Sequence, residues 1–226
     1  MSIEFDHLGF SPNLVDYQEA WDLQRRVHDE VAAGARGPIV FLLEHENVYT
    51  AGRRTEPEDL PGDGTPVVDV DRGGKLTWHG KGQLVGYPIV RLRDMKGIRE
   101  YVDILEQALI NTAAAFGVET VQIKGRSGVW VKGRNGAQDS KLAAIGIRVD
   151  HGVTMHGFAL NCSNDFAPFA QIIPCGITDA GVTSLSAETG TTITPADVLA
   201  RVEQELETLL SPAVALSATT LEGVIR

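Results

Sequence analysis

Cysteine is scarce in this chain, with Cys162 and Cys175 the only two in 226 residues. Long apolar runs are missing as well. Nothing approaches the roughly 20 consecutive apolar residues of a membrane-crossing helix. The charged opening Met1–His7 lacks the apolar stretch of a secretory leader. A cytoplasmic protein is therefore expected, with both thiols reduced and no Cys162–Cys175 disulfide. Positive charge is also short: 20 Lys and Arg against 30 Asp and Glu give a net charge of -10. That balance argues against non-specific binding to nucleic acid or to an anionic membrane surface. No His/Cys/Asp cluster has metal-ligand spacing, so no metal site is expected. A phosphate loop, a dinucleotide fingerprint, an internal repeat and low-complexity sequence are absent too.

What remains is an ordinary soluble composition, 43% hydrophobic and 22% charged, in a length that fits one domain spanning residues 1–226. Residues 14–34 carry Tyr17, Ala20, Trp21, Gln24, Val27, His28 and Val31 at helical spacing, with Gly34 as a stop. Ile39–Leu43 and Val48–Ala51 read as strands, 55–65 as a surface loop, and 67–71 and 84–92 as further strands. A second helix runs from Ile98 to Phe116 and is closed by Gly117. Short β-type runs follow at 119–123, 128–131, 142–149 and 153–160, with a polar, mobile loop at 132–140. A last helix starts at Pro195 behind the cap Thr194. Strands that follow one another without regular helix alternation predict an α/β chain of the α+β type, with a mixed, largely antiparallel sheet packed by helices.

Four segments carry chemistry. In Arg72-Gly73-Gly74-Lys75-Leu76-Thr77-Trp78-His79-Gly80-Lys81-Gly82-Gln83, the glycines permit tight turns and close approach of a ligand to the main chain. This reads as a binding loop. Arg53, Arg54, Arg72, Lys75 and Lys81 make a local basic excess in or near it. Cys175, in Ile173-Pro174-Cys175-Gly176-Ile177, sits on kinked, side-chain-poor backbone where a bulky substrate can approach sulfur. A free thiol with pKa ~8.5 is mostly protonated at neutral pH and needs a base or a cation nearby. Lys141, entering the apolar run Leu142-Ala143-Ala144-Ile145-Gly146, can supply either if burial lowers its pKa. Cys162, in Leu160-Asn161-Cys162-Ser163, reads as structural. A thiol, a desolvated lysine and an approachable loop together point to covalent acyl transfer.

Those stretches, with His156-Gly157-Phe158-Ala159-Leu160-Asn161, resemble the octanoyl-acyl-carrier-protein:protein octanoyltransferases of the lipoate-protein ligase B type. The likeness runs from the first helix to about residue 210. Lys81 stands where that family usually has proline, and the polar loop before Lys141 is lengthened. The resemblance implies a biotin/lipoate-ligase-like catalytic domain with Cys175 as nucleophile and Lys141 as its activator. It implies acyl-pocket contacts from Arg72, Gly73, Gly74, Lys75, Leu76, Thr77, Trp78 and His79, from Ala144, Ile145 and Gly146, and from Gly157, Phe158 and Ala159. No cofactor is implied, because the octanoyl group arrives on the phosphopantetheine of acyl carrier protein. The implied acceptors are lipoyl domains of 2-oxoacid dehydrogenase complexes and the glycine cleavage H protein. Burying roughly six methylenes at ~0.8 kcal/mol each allows up to ~5 kcal/mol for chain-length selection. Three alternatives stay open: an ATP-dependent lipoate or biotin ligase, a cysteine thioester hydrolase using His79 or His156, and a non-catalytic carrier-binding module.

Overall fold

The structure is a computed structural model that describes residues 2–62, 64–93, 97–172 and 179–214. Its main sheet contains β1 (Glu4–Gly9), β2 (Ile39–Leu43), β6 (Gln83–Ile89), β7 (Val121–Ile123), β8 (Arg126–Val131), β9 (Ser140–Asp150), β10 (Val153–Asn161) and β11 (Gly181–Val182). The strand order is β1-β2-β6-β10-β9-β8-β7, and β11 pairs with β9. The pairs β1–β2 and β11–β9 are parallel and the others antiparallel. The expected mixed, largely antiparallel sheet is therefore present. A second sheet, β4-β3-β5, is formed by β3 (Val48–Ala51), β4 (Val67–Asp69) and β5 (Leu76–His79).

Two helical layers explain the hydrophobic pattern. β2 reads as an unbroken apolar run because both of its faces are covered. Val40 and Leu42 join the core beneath α2 (Ile98–Ala115) and α4 (Pro195–Leu210), while Ile39, Phe41 and Leu43 face α1 (Tyr17–Ala32). Asp16 caps α1 by accepting from the Glu19 N–H at 3.0 Å. All the residues expected on its inner face are buried except Trp21, which is half-buried. At α4 the predicted cap is a reciprocal box, with the Thr194 N–H donating to Asp197 Oδ2 at 2.7 Å.

Three elements depart from the sequence expectations. β5 lies inside the glycine-rich segment that had been read only as a binding loop, β1 precedes the first expected element, and a short helix, α3 (Leu185–Thr189), follows β11. The polar loop 132–140 is tied at its ends rather than loose. Lys132 Nζ donates to Asp139 Oδ2 at 2.7 Å and the Gly133 N–H donates to Asp139 Oδ1 at 3.0 Å.

Candidate active site

Two adjoining chambers open where the small sheet meets β9 and β10, and Thr77, Ala144 and Ala159 line both. Counting the space of their open mouths, they span about 430 and 470 Å³.

Lys141 belongs to the first chamber. It is 9% exposed, and its cross-strand partner on β8 is Trp130, over whose ring its Nζ sits 4.8 Å from the centroid. Gly128, beside the lysine, is required by the neighbouring strand: it has φ +120°, and a Cβ there would come within 2.4 Å of the Ala143 carbonyl. The Gly128 N–H donates to Glu106 Oε1 at 2.7 Å, and burial raises that carboxyl above the usual range. Gln83, Asn161, Phe169, Gly181 and Val182 complete the walls.

The glycine-rich segment shapes the second chamber. Arg72, Gly73, Gly74, Lys75, Thr77 and His79 line it with Ala144, Ile145, Gly146, Gly157, Phe158 and Ala159, so the structure assembles these expected contacts around one space. Leu76 and Trp78 line neither chamber. Alternation along β5 sends them to the opposite side, where they pack with Tyr49, Ala51 and Phe169. Gly146 is required by Arg72, since a Cβ there would fall 2.8 Å from Arg72 Cδ. Arg72 itself is 7% exposed. It braces the loop by donating to the carbonyls of Gly73 (3.0 Å), Lys75 (2.9 Å) and Thr50 (2.7 Å). Lys75 is held by Glu56 at 2.5 Å and Asp59 at 3.1 Å.

A buried aromatic cluster forms the floor. The His79 ring stacks on Tyr17 with centroids 6.1 Å apart, and His45 Nε2 lies 2.7 Å from the Tyr87 hydroxyl. Burial pulls His79 down to about 3 and His45 to about 4, and pushes Tyr17 up to about 12. Both imidazoles are therefore neutral near pH 7. His156 lies at the rim, 1% exposed, with Nε2 2.8 Å from Asp71 Oδ1. Burial lowers its pKa, whereas the hydrogen bond from His156 and the Arg148 guanidinium hold Asp71 at about 2.

Cys175 falls outside the described residues. Cys162 is a fully buried free thiol whose Sγ donates to the Leu160 carbonyl at 3.6 Å. Burial pushes its pKa far above the ordinary thiol range, as its structural reading requires. Gln83 and Asn161 close two of the motifs that carry the family resemblance but were assigned no site role, and Trp130, Tyr17 and Tyr87 carry no sequence signal of one; the tertiary fold brings all five to the chambers.

A family model for the lipoyl protein ligase A/B catalytic domain matches residues 16–207. The chain belongs to that family. Relatives named Octanoyltransferase include one from Arthrobacter sp. (strain FB24), 58% identical over 91% of this chain and 92% of the relative. Another, from Renibacterium salmoninarum, is 52% identical over 100% of this chain and 96% of its own length. These names agree with the enzyme class expected from the sequence. A solved archaeal structure, described as a bi-partite lipoate protein ligase and its E2 lipoyl domain from Thermoplasma acidophilum, superposes with a TM-score of 0.71 at 14% identity, covering 93% of this chain and 84% of that one. At that identity the likeness bears on the fold, and it agrees with the expected ligase-like architecture.

Proposed function

We propose that this lipoyl-ligase-family transferase moves an octanoyl group from the phosphopantetheine arm of acyl carrier protein to a lysine of lipoyl-domain proteins, through a thioester on Cys175. One observation carries the reading. β11, which follows Cys175 closely in sequence, pairs in register with β9 at Ser140 and Lys141, and that pairing supports assigning the thiol and the buried lysine to one site. In the first step the Cys175 sulfur attacks the octanoyl thioester carbon while Lys141 takes the thiol proton. The bond to the phosphopantetheine sulfur breaks, and that sulfur leaves as a thiol with the proton from Lys141. The acceptor amine then attacks the enzyme thioester, its carbon–sulfur bond breaks, and an amide forms as Lys141 relays the proton to Cys175. Thioester exchange is close to balanced, so no nucleotide is needed.

His79 is a weak base, because burial holds it at about 3, and both its nitrogens lie close to partners, Gln83 Oε1 at 2.8 Å and Thr50 Oγ1 at 3.4 Å. That favours Lys141 over His79 as the activator and argues against a hydrolase that uses His79. Intact-mass measurement after mixing with octanoyl-acyl carrier protein tests the proposal. It should show one added octanoyl group at Cys175, stable in water and discharged by a lipoyl domain. Transfer only from octanoate with ATP would favour a ligase, rapid loss to water a hydrolase, and no adduct a binding module.

A further inference from the structure

Six residues, four on strands and two on the loops that hold Arg72 and Thr183, make one line of hydrogen bonds between the two chambers. Arg72 Nη2 donates to Thr50 Oγ1 at 2.8 Å, and that hydroxyl lies 3.4 Å from His79 Nε2. His79 Nδ1 is 2.8 Å from Gln83 Oε1, and Gln83 Nε2 donates to Asn161 Oδ1 at 3.0 Å. Asn161 Nδ2 then donates to the Thr183 carbonyl at 2.9 Å. The direction is fixed at both ends, because a guanidinium only donates and a carbonyl only accepts. The Trp78 carbonyl, 3.3 Å from Gln83 Nε2, fixes the Gln83 amide in the same sense. His79 therefore carries its proton on Nδ1 and accepts from Thr50 at Nε2. Burial keeps that imidazole neutral near pH 7, so the order is the same under working conditions. Bonds aligned this way in a buried site polarise and strengthen one another.

The line begins at the arginine that braces the glycine-rich loop. It ends on Thr183, whose own N–H donates to the Lys141 carbonyl at 3.0 Å. Thr183 is thus gripped by the lysine's strand on one side and by Asn161, the last residue of β10, on the other. We propose that this line is a positioning device: Gln83 and Asn161 fix β11 beside Lys141 in step with the Arg72 loop, so the two chambers act as one unit. Its catalytic consequence rests on the proposed role of Lys141, whereas the mechanical coupling does not.

Two variants cut the line at different links. Gln83→Glu still accepts from His79 but has no N–H for Asn161. Asn161→Asp turns a carboxylate oxygen toward the Thr183 carbonyl. Thr50→Val, nearly isosteric and uncharged, is the alternative break if either charged variant fails to fold. Amide hydrogen exchange is followed at Gly181 and Thr183, whose N–H groups donate to the Asp139 and Lys141 carbonyls, and first-turnover acylation is followed with a small octanoyl thioester. Each variant should speed exchange at those two amides and slow acylation on the order of ten- to a hundredfold, with KM unchanged. The double variant should be no worse than the poorer single one, since one break already opens the line. Val202→Ala, which lowers stability from the far side of the sheet, should leave the acylation rate intact. Unchanged exchange at Gly181 and Thr183, losses that multiply in the double variant, or an equal loss in Val202→Ala would overturn the proposal. If the unmodified enzyme forms no octanoyl adduct, the functional proposal falls instead, and the exchange experiment alone decides the coupling.

Discussion

The two cysteines differ in a way that surroundings explain. Cys162 is sealed in the core beneath α4, and burial keeps its thiol protonated. Cys162→Ser should retain most transfer activity with some loss of stability, whereas Cys175→Ser and Cys175→Ala should both lose transfer. Assays of the three purified variants check this, and equal loss at both positions would reject the assignment of Cys175. Lys141 offers a second test. Its Nζ rests over the Trp130 ring in the wall of the first chamber. Lys141→Ala should slow alkylation of Cys175 at neutral pH, and Lys141→Arg should not restore activity, because a guanidinium cannot give up its proton. Full transfer by the arginine variant would reduce Lys141 to a source of positive charge. The sequence exposed Lys141 through its abrupt position before an apolar run. It could not expose Gln83 or Asn161, since nothing local distinguishes an amide that bridges two strands from one facing water.

Strands and helices with a strong period were legible, and those whose pattern conflicts with their surroundings were not. β2, β3, α2 and α4 lie close to where their apolar spacing predicts. β5 was hidden because glycines flank it on both sides, although Leu76, Thr77, Trp78 and His79 alternate in the manner of a strand with two occupied faces. β1 was hidden because Asp6 and His7 interrupt the apolar alternation of an edge strand. The loop after β2 and the end of β5 bring together His45 and His79, and this junction has a pH signature. Both are held below their ordinary value of 6.5, at about 4 and about 3. The unfolded chain therefore takes up protons that the folded chain refuses. Their contribution to stability is complete above pH 6.5 and is lost as pH falls through that value toward 4. Thermal unfolding between pH 7.5 and 4 should show Tm dropping across this window, and His45→Gln should flatten the drop. A level Tm across the window would count against buried neutral histidines.

Over the whole molecule, charge is the feature the proposed protein donor would meet first. The chain is acidic overall, yet Arg53 and Arg54 are exposed beside the glycine-rich loop, as is Lys81. Lys75, grouped with them on sequence grounds, is tied to Glu56 and Asp59 and so contributes little to an attractive patch. Reversing the charge of Arg53 and Arg54 should raise KM for acyl carrier protein, with attraction screened over about 8–10 Å at physiological salt, and should leave a small octanoyl thioester unaffected. Steady-state kinetics with both donors check this, and equal damage would make these arginines part of the active site. The sheet order has one further effect, on the chain as it is made. β6 pairs with β10, but α2, β7, β8 and β9 are synthesised between them. Until β10 emerges, one hydrogen-bonding edge of a strand that is buried along its whole length in the finished fold stands unpaired. Sheet closure is then a late, long-range event, and the ribosome-bound intermediate presents an adhesive edge that demands either fast completion or a chaperone's cover.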